Sequence, residues 1–509
     1  MPSSLRHVRP NAIVSGWDFS TGSVKCLAFE SNGTVVAEVR LPTDLWTEEG
    51  VSELNLMQLE GQARSSTRLL AARLKELGRL TDWVAGGISA THHSAGRIDA
   101  GGNQVRRAIC WNDQTLAKYH AEGLARLGGQ EKVKALIGGP WAVRYSLSHL
   151  VKDEATLPEA EWKRTRWVSP HGPLAAGYLT GRFDVMSISS AASTGVLDLR
   201  TNTWRREMLG ALQNTAYRDL AWANLPRVLG PNEVIGSVSE SVAFDAGLPP
   251  NVRPLVFPTV DDQAAGLIGG GATDAGHVAV ILGNSAVVNS SAAAAPQSGT
   301  LDAMKLNHGP YLWMRCYSNG AQFVDHVVGK TADWPTLEAA ARAVPSGCGG
   351  TSVLPFVLSE PSIGVTKPWV EWTPAEPSDP GVRARAAFEA VAYLIGLAVK
   401  EHEAAGQNIT RVTVSGGIAR SDLMLEILAS VLNRKLDRLV SSEGPALGAA
   451  VTALTGYESH LRTKAGEPEP FTAADAVASM VKFRDAVGPN PAWTGTYRAG
   501  LDAFAKRIS

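Results

Sequence analysis

Cysteine is scarce: Cys26, Cys110, Cys316 and Cys348 are the only four in 509 residues, and no two form a C-x-x-C pair. That spacing argues against a thiolate metal site, and so few cysteines fit a reducing compartment better than a disulfide-stapled scaffold. Cys26 and Cys110 sit in apolar runs and read as small buried hydrophobes. An excess of either charge is also missing. Lys and Arg number 48 against 49 Asp and Glu, the net charge is −1, and no long run of like charge occurs. A nucleic-acid binder would carry a basic excess or stripe. This balance suits an enzyme that holds an anionic ligand with local backbone donors. Long hydrophobic runs are lacking too. Met1 to Asn11 carries Arg6 and Arg9 with no apolar segment behind them, unlike a signal peptide or anchor. The most apolar stretch, Ala390 to Val399, is too short to span a bilayer. Together these absences predict a soluble cytoplasmic protein with no nucleic-acid or membrane partner.

What is present is a long chain of ordinary globular composition, 44% hydrophobic and 19% charged. Its length exceeds what one core supports, so two or more domains are expected. Ala12 to Phe19 and Val24 to Glu30 read as strands. Ser31-Asn32-Gly33 makes a hairpin turn, and Thr34 to Arg40 returns. Leu56 to Leu77 has helical spacing, with Leu59, Ala63, Leu69, Leu70, Leu74 and Leu77 on one side. Trp83 to Ala90 and Arg107 to Trp111 are further strands, so an α/β layered domain is expected. The pattern restarts beyond the glycine-rich stretch 265–276: strand Val278 to Leu282, turn Gly283-Asn284-Ser285, strand Ala286 to Asn289. This weak repeat places a domain boundary near Gly271, giving domains 1–271 and 272–509. Later elements are a helix Val382 to Ala404, a strand Arg411 to Ser415, and helices Ser421 to Leu432 and Gly444 to Leu454. The last segment, Thr472 to Ser509, reads as helical with a break at Pro489 and no chemistry of its own.

Four motifs carry chemistry. GWDFSTGSVK (16–25) sets a Ser/Thr/Gly turn between two strands, where successive N–H groups can form a nest for phosphate oxygens. Ser20, Thr21 and Ser23 add hydroxyls, and Asp18 suits Mg²⁺, which prefers few carboxylates and keeps its water. Alone this is equally a plain hairpin. ILGNSAVV (281–288) repeats the device in the second half, and a pair of such turns is stronger evidence than one. VSGGIARSDLM (414–424) runs a strand through Gly416-Gly417 into a helix, which lets a ligand approach the backbone, as would any tight strand-to-helix turn. TVDDQAAG (259–266) places two acids ahead of a small-residue helix. Asp262 is either a helix N-cap or a general base able to accept a hydroxyl proton in phosphoryl transfer.

In order and at matching intervals, GWDFSTGSVK, WND (111–113), VDDQAAG, the GNS turn, VSGGIARSDLM and EGPALGAA (443–450) resemble the FGGY carbohydrate kinases, a branch of the actin-like ATPases. The resemblance spans nearly the whole chain from about Ile13. Within the family it is most similar to the xylulose kinases, through GWDFST, WNDQT, CYSNGA (316–321) and WAVRYS (141–146). It implies two actin-like (ribonuclease H-like) α/β domains around a central ATP/sugar cleft. It also implies ATP and Mg²⁺ as cofactors and a small sugar as partner, and it is compatible with a homodimer. By the same resemblance Asp262 is the catalytic base. His93, Trp111, Asp113, Arg144 and Gln263 bind sugar. Ser20, Thr21, Gly22, Ser23, Lys25, Gly283, Asn284, Ser285, Gly416, Gly417 and Ser421 bind ATP, and Asp18 holds the metal.

The chain departs from the family pattern at Ser20, in place of Gly, and at Asn284, in place of Thr. Thr91-His92-His93-Ser94 stands for Gln-x-His-Gly, keeping only His93 of that sugar-contacting run. Ser146 and His149 stand for a common Lys and Trp. The expected reaction is ATP-dependent phosphorylation of a ketopentose, D-xylulose to D-xylulose 5-phosphate. The alternatives are a kinase for ribulose, another ketose or a glycerol-like polyol, and a non-catalytic sugar or ATP sensor on the same fold.

Overall fold

The structure, a computed structural model, describes residues 4–331, 333–467 and 469–508. Residues 1–3, at the head of the segment unlike a signal peptide, and Ser509, at the close of the last helical segment, lie outside the described residues. The chain folds as two compact units. The first is Met1–Thr273 with Asp302–Leu312 and Glu443–Val481. The second is Asp274–Leu301, Trp313–Ser442 and Lys482–Ser509. A single cut near Gly271 thus differs from the observed division at two segments, 302–312 and 443–481, which pack with the first unit.

In the first unit, β1 (Ile13–Phe19), β2 (Ser23–Glu30) and β3 (Val35–Pro42) form an antiparallel meander. Gly33, at φ +84°, closes the second hairpin by donating its N–H to the Glu30 carbonyl. β4 (Trp83–Ala90) runs parallel to β1, with Asp18 opposite Ser89 and Phe19 opposite Ala90. The short strand Val260–Asp261 also runs parallel to β4, with Asp261 opposite Ala90. Every residue of β1 is buried, as expected for a strand covered on both faces.

Helix Leu56–Glu76 contributes Leu59, Ala63, Leu70 and Leu74 to the core around Trp17 and Phe19. Leu69 and Leu77 are exposed instead, because the buried stripe runs through Thr67 and Ala71. The expected strand Arg107–Trp111 is observed at Gln104–Ile109, leaving Trp111 in the following turn.

Helix Gly444–Ala465, longer than expected, packs on β1, β4 and helix Asp262–Gly269. The approach is backbone to backbone. A Cβ on Gly16 would overlap the Ala446 carbonyl, one on Gly87 the Ala449 carbonyl, and one on Gly448 the Ala265 carbonyl. The small residues of EGPALGAA are therefore a packing requirement of the elements that carry Asp18 and Asp262.

In the second unit, β5 (His277–Leu282) and β6 (Ala286–Ala292) form a hairpin. β7 (Arg411–Ser415) is parallel to β5, β8 (Leu436–Leu439) is parallel to β7, and β9 (Phe483–Val487) is antiparallel to β8. Helices Pro380–Ala404, Asp422–Leu432 and Pro491–Arg507 bury Phe388, Leu394, Leu428 and Tyr497 with Val280, Val288 and Val414. The segment read as helical from Thr472 onward contains β9 between two helices, Ala473–Met480 and Pro491–Arg507. β9 is a largely exposed edge strand carrying Arg484 and Asp485, and such a strand needs no apolar run to mark it.

Both units thus repeat one layout: a hairpin whose first strand pairs in parallel with a later strand. This is the α/β duplication that an actin-like fold requires. Among the described residues no helix is long and apolar enough to cross a membrane. Among the described residues no cysteine is in a disulfide.

Candidate active site

Parallel pairing brings three chain segments to one edge of the first unit's sheet. The ends of β1, β4 and Val260–Asp261 lie in register, so the residues just beyond them converge. Thr91 donates its N–H to the Phe19 carbonyl at 2.9 Å, which keeps the 91–94 loop on this edge.

Asp18, inside β1, is buried and accepts a 2.8 Å hydrogen bond from Ser89 Oγ. Burial raises its carboxyl to about 6, against the opposing pull of the Ser89 bond and of Lys25. Asp261 is the N-cap residue of helix Asp262–Gly269, though its side chain makes no capping bond. Asp262 is the first helical residue, with its side chain 24% exposed. Its Oδ1 is buried without a hydrogen-bond partner. Burial raises the Asp262 carboxyl to about 7. The charge on His92 opposes that rise, and those of Asp18 and Asp261 add to it. A desolvated carboxylate with one oxygen, Oδ1, left unbonded suits proton transfer near neutral pH.

The residues expected to bind sugar divide into two groups. His93 is buried at φ +61°, beside the His92 that faces Asp262. Its Nδ1 is 3.4 Å from the Ser193 carbonyl, and its Nε2 is buried without a partner. The ring stacks between His92 at 3.9 Å and Tyr145 at 4.5 Å, and burial holds it well below the usual histidine range. Arg144, next to Tyr145, pairs with Asp302. The backbone N–H of Gln263 lies against the Asp262 carboxylate. Trp111 and Asp113 are placed otherwise. Trp111 is 42% exposed. The buried Asp113 carboxylate is taken up by Lys152 Nζ at 3.0 Å, the Ser52 N–H at 3.3 Å and the Thr115 N–H at 2.9 Å, a loop-anchoring arrangement.

The Ser20–Ser23 turn, expected to bind phosphate, is tight and open. Ser20 donates both its N–H (3.0 Å) and Oγ–H (2.8 Å) to the Ser23 carbonyl, and a Cβ on Gly22 would meet nothing. Thr21 lies at its tip, between Ser20 and the exposed Gly22. Lys25 pairs with Glu443 at 2.6 Å, so its ammonium is already engaged.

In the second unit Gly283-Asn284-Ser285 joins β5 to β6, and the Asn284 side is exposed. Its carbonyls accept from Gly320 (2.9 Å) and Ala321 (2.8 Å) at the start of helix Ala321–Val328. Gly416, at φ +102° beyond β7, lies against the Leu282 backbone, where a side chain would collide. The two glycine-bearing turns are therefore neighbours. Gly416 also lines a cavity of about 320 Å³ with Ser415, Arg420, Arg438 and Ser441. Gly417 is exposed, and Ser421 uses its hydroxyl to cap helix Asp422–Leu432, accepting from the Met424 N–H at 3.1 Å.

Among the described residues no group of three or more His, Cys, Asp or Glu could hold a metal ion. A single buried carboxylate beside a phosphate turn nevertheless fits Mg²⁺, which takes one or two carboxylates and fills its shell with water and substrate phosphate. Asp18, the residue expected to hold the metal, has that chemistry.

Two residues were missed in the sequence. His92 Nε2 is 2.9 Å from Asp261 Oδ2, and His92 Nδ1 is 4.0 Å from Asp262 Oδ1. Asp261 also accepts from Ser190 Oγ at 3.2 Å. Its N–H donates to Ser189 Oγ at 3.2 Å. The doublets His92-His93 and Asp261-Asp262 were visible. Their pairing depends on a parallel register between segments about 170 residues apart.

The profile described as the N-terminal domain of the FGGY family of carbohydrate kinases matches residues 13–269, and that of the C-terminal domain matches 338–457. A xylulose kinase from Escherichia coli K12 is 27% identical over 466 residues, covering 86% of this chain and 88% of its own. A glycerol kinase from Methylorubrum extorquens PA1 is 26% identical over 486 residues, covering 87% and 90%. The crystal structure of a xylulose kinase from Rhodospirillum rubrum, 24% identical, superposes with a TM-score of 0.82 over 97% of this chain and 98% of that one, which establishes the shared fold. With both domain profiles matched over most of its length, the chain belongs to the FGGY family of carbohydrate kinases and is an ATP-dependent carbohydrate kinase.

Proposed function

We propose that this kinase transfers the γ-phosphoryl group of ATP to a primary hydroxyl of a ketopentose, converting D-xylulose to D-xylulose 5-phosphate, with Asp262 as the proton acceptor. The observation that carries the reading is the Asp262 carboxylate itself: buried Oδ1, no hydrogen-bond partner, and a carboxyl raised to about 7. The sugar oxygen attacks the γ-phosphorus, its proton passes to Asp262, and ADP leaves with the bridging oxygen. Little else is asked of a base in phosphoryl transfer, where positioning and charge stabilisation do most of the work. His93 Nε2, unpartnered in its buried stack, and Arg144 are assigned to sugar hydroxyls. Open N–H groups of the Ser20–Ser23 and Gly283–Ser285 turns are assigned to phosphate oxygens. Gly416 and Gly417 are assigned to the adenosine. Asp18 would hold Mg²⁺, which neutralises phosphate charge when bound.

The ketopentose assignment is supported by the similarity to xylulose kinases across most of the chain. Similarity to a glycerol kinase of comparable extent favours a polyol as the second reading. An ADP-release assay across D-xylulose, D-ribulose, hexuloses and glycerol separates them. D-Xylulose is expected to have a kcat/KM at least about tenfold above the others, equivalent to ~1.4 kcal/mol of transition-state discrimination. A higher value for glycerol would overturn the sugar and leave the base assignment standing.

A further inference from the structure

His92 stands between two carboxylates. Its Nε2 is 2.9 Å from Asp261 Oδ2, an ionic contact in which that oxygen lacks a well-aligned hydrogen bond. Its Nδ1 is buried, has no hydrogen-bond partner, and lies 4.0 Å from Asp262 Oδ1, itself buried and unbonded. The ring has little freedom, since it stacks on His93 with the planes 6° apart, and His93 stacks on Tyr145. Asp261 is equally fixed. Ser190 Oγ holds its carboxylate and is bonded in turn to Thr259 Oγ1. Ser189 Oγ accepts from the Asp261 N–H, and the Ser189 N–H donates to Asn307 Oδ1, whose Nδ2 in turn donates to the Thr259 carbonyl. A buried polar network satisfied in this way holds its members in one arrangement.

We propose that Asp261 and His92 form a positioning pair for the transfer: Asp261 anchors the His92 ring, and His92, with its Nδ1 4.0 Å from Asp262 Oδ1, favours the carboxylate form of Asp262 that accepts the sugar proton. The inference rests on the reading of Asp262 as the base. Opposite charge at this separation favours ionisation of a carboxylate, and His92 is the largest influence opposing the effect of burial on Asp262. The other charged or titratable groups nearby are accounted for. Asp18 and Asp261 face Asp262 and act against its ionisation, more weakly than His92 acts for it. Arg144 and His149 face His93. Asp18 makes no hydrogen bond or ion pair with His92 or Asp262 among the described residues; its bond is to Ser89.

The test is a pH profile of kcat for the wild type, His92→Gln and Asp262→Asn. His92→Gln is expected to move the acidic limb up by about one pH unit, losing about tenfold in kcat at pH 6 and converging on the wild type at pH 9, with sugar KM within about twofold. His92→Gln strands the buried charge of Asp261. If it does not fold, His92→Gln/Asp261→Asn removes charge and partner together. The double variant's limb should still move up, by less, since His92 outweighs Asp261 at Asp262. An unmoved limb, an equal loss at every pH, or a change in KM alone overturns the proposal. Asp262→Asn reports separately: if it turns over like the wild type, the base assignment has failed, whatever His92 does.

Discussion

Substituting alanine at Gly448 tests whether backbone-to-backbone packing holds the elements that carry Asp18 and Asp262 in place. The new Cβ would run into the carbonyl of Ala265, in the helix that begins at Asp262. Overpacking by one methyl costs about 1–3 kcal/mol where neighbouring side chains yield. Here the neighbour is main chain and cannot rotate away, so the upper end, about 3 kcal/mol, is expected. For a unit of this size that corresponds to a fall in Tm of about 4–5 °C. Relief would come by sliding helix Asp262–Gly269, and a misplacement near 1 Å at a reacting group costs roughly 100-fold in rate. The control is Gly61→Ala, on an exposed face of helix Leu56–Glu76 where a Cβ meets nothing. It should be neutral or stabilising by up to about 1 kcal/mol. Scanning calorimetry and the ADP-release assay read both variants. If Gly448→Ala melts within about 2 °C of the wild type and keeps kcat within about twofold, the packing argument is wrong.

Three further outcomes are expected. With the Asp262 carboxyl at about 7, roughly a tenth is ionised at pH 6 and about nine-tenths at pH 8, so kcat should rise about tenfold over that range. A flat profile there would mean an ordinary carboxylate does the work. Because the folded-state value is raised, ionising Asp262 costs stability as pH climbs from the unfolded carboxylate range, about 4, to about 7. Asp262→Asn removes that cost, so its Tm should exceed the wild type's at pH 8, with the gain shrinking toward pH 4; equal Tm values at pH 8 would contradict this. Gly416→Ala forces an alanine to φ +102° against the Leu282 backbone and should raise the KM for ATP by about tenfold, from ~1–2 kcal/mol of strain. An unchanged ATP KM would remove Gly416 from the nucleotide site.

Much of the architecture was legible because it is written locally. β1, β4 and β7 announce themselves as apolar runs ending in small residues, and the two turns repeat in the same position after β1 and β5. What stayed hidden depends on chain segments distant in sequence. Segment 443–481 packs with the first unit although it follows the second unit's core. β9 carries charge on an exposed edge and has no strand-like alternation. Lys25 reads as a free phosphate ligand until Glu443, more than four hundred residues on, arrives beside it. Asp113 and Ser421 have the residue types of a ligand site, yet in the fold the first anchors a loop and the second caps a helix. His92 is the opposite case. Nothing in its neighbourhood in the chain distinguishes it from His93, and only the register of β4 with Val260–Asp261 brings it between the two acids.

Asp262 is the residue proposed to take the sugar proton. The most direct measurement is turnover of purified, folded Asp262→Asn with ATP and D-xylulose at pH 8, where asparagine keeps the shape but cannot accept a proton. The expected result is a fall in kcat of about 10²–10⁴-fold with KM for the sugar little changed. Turnover within about twofold of the wild type would contradict it.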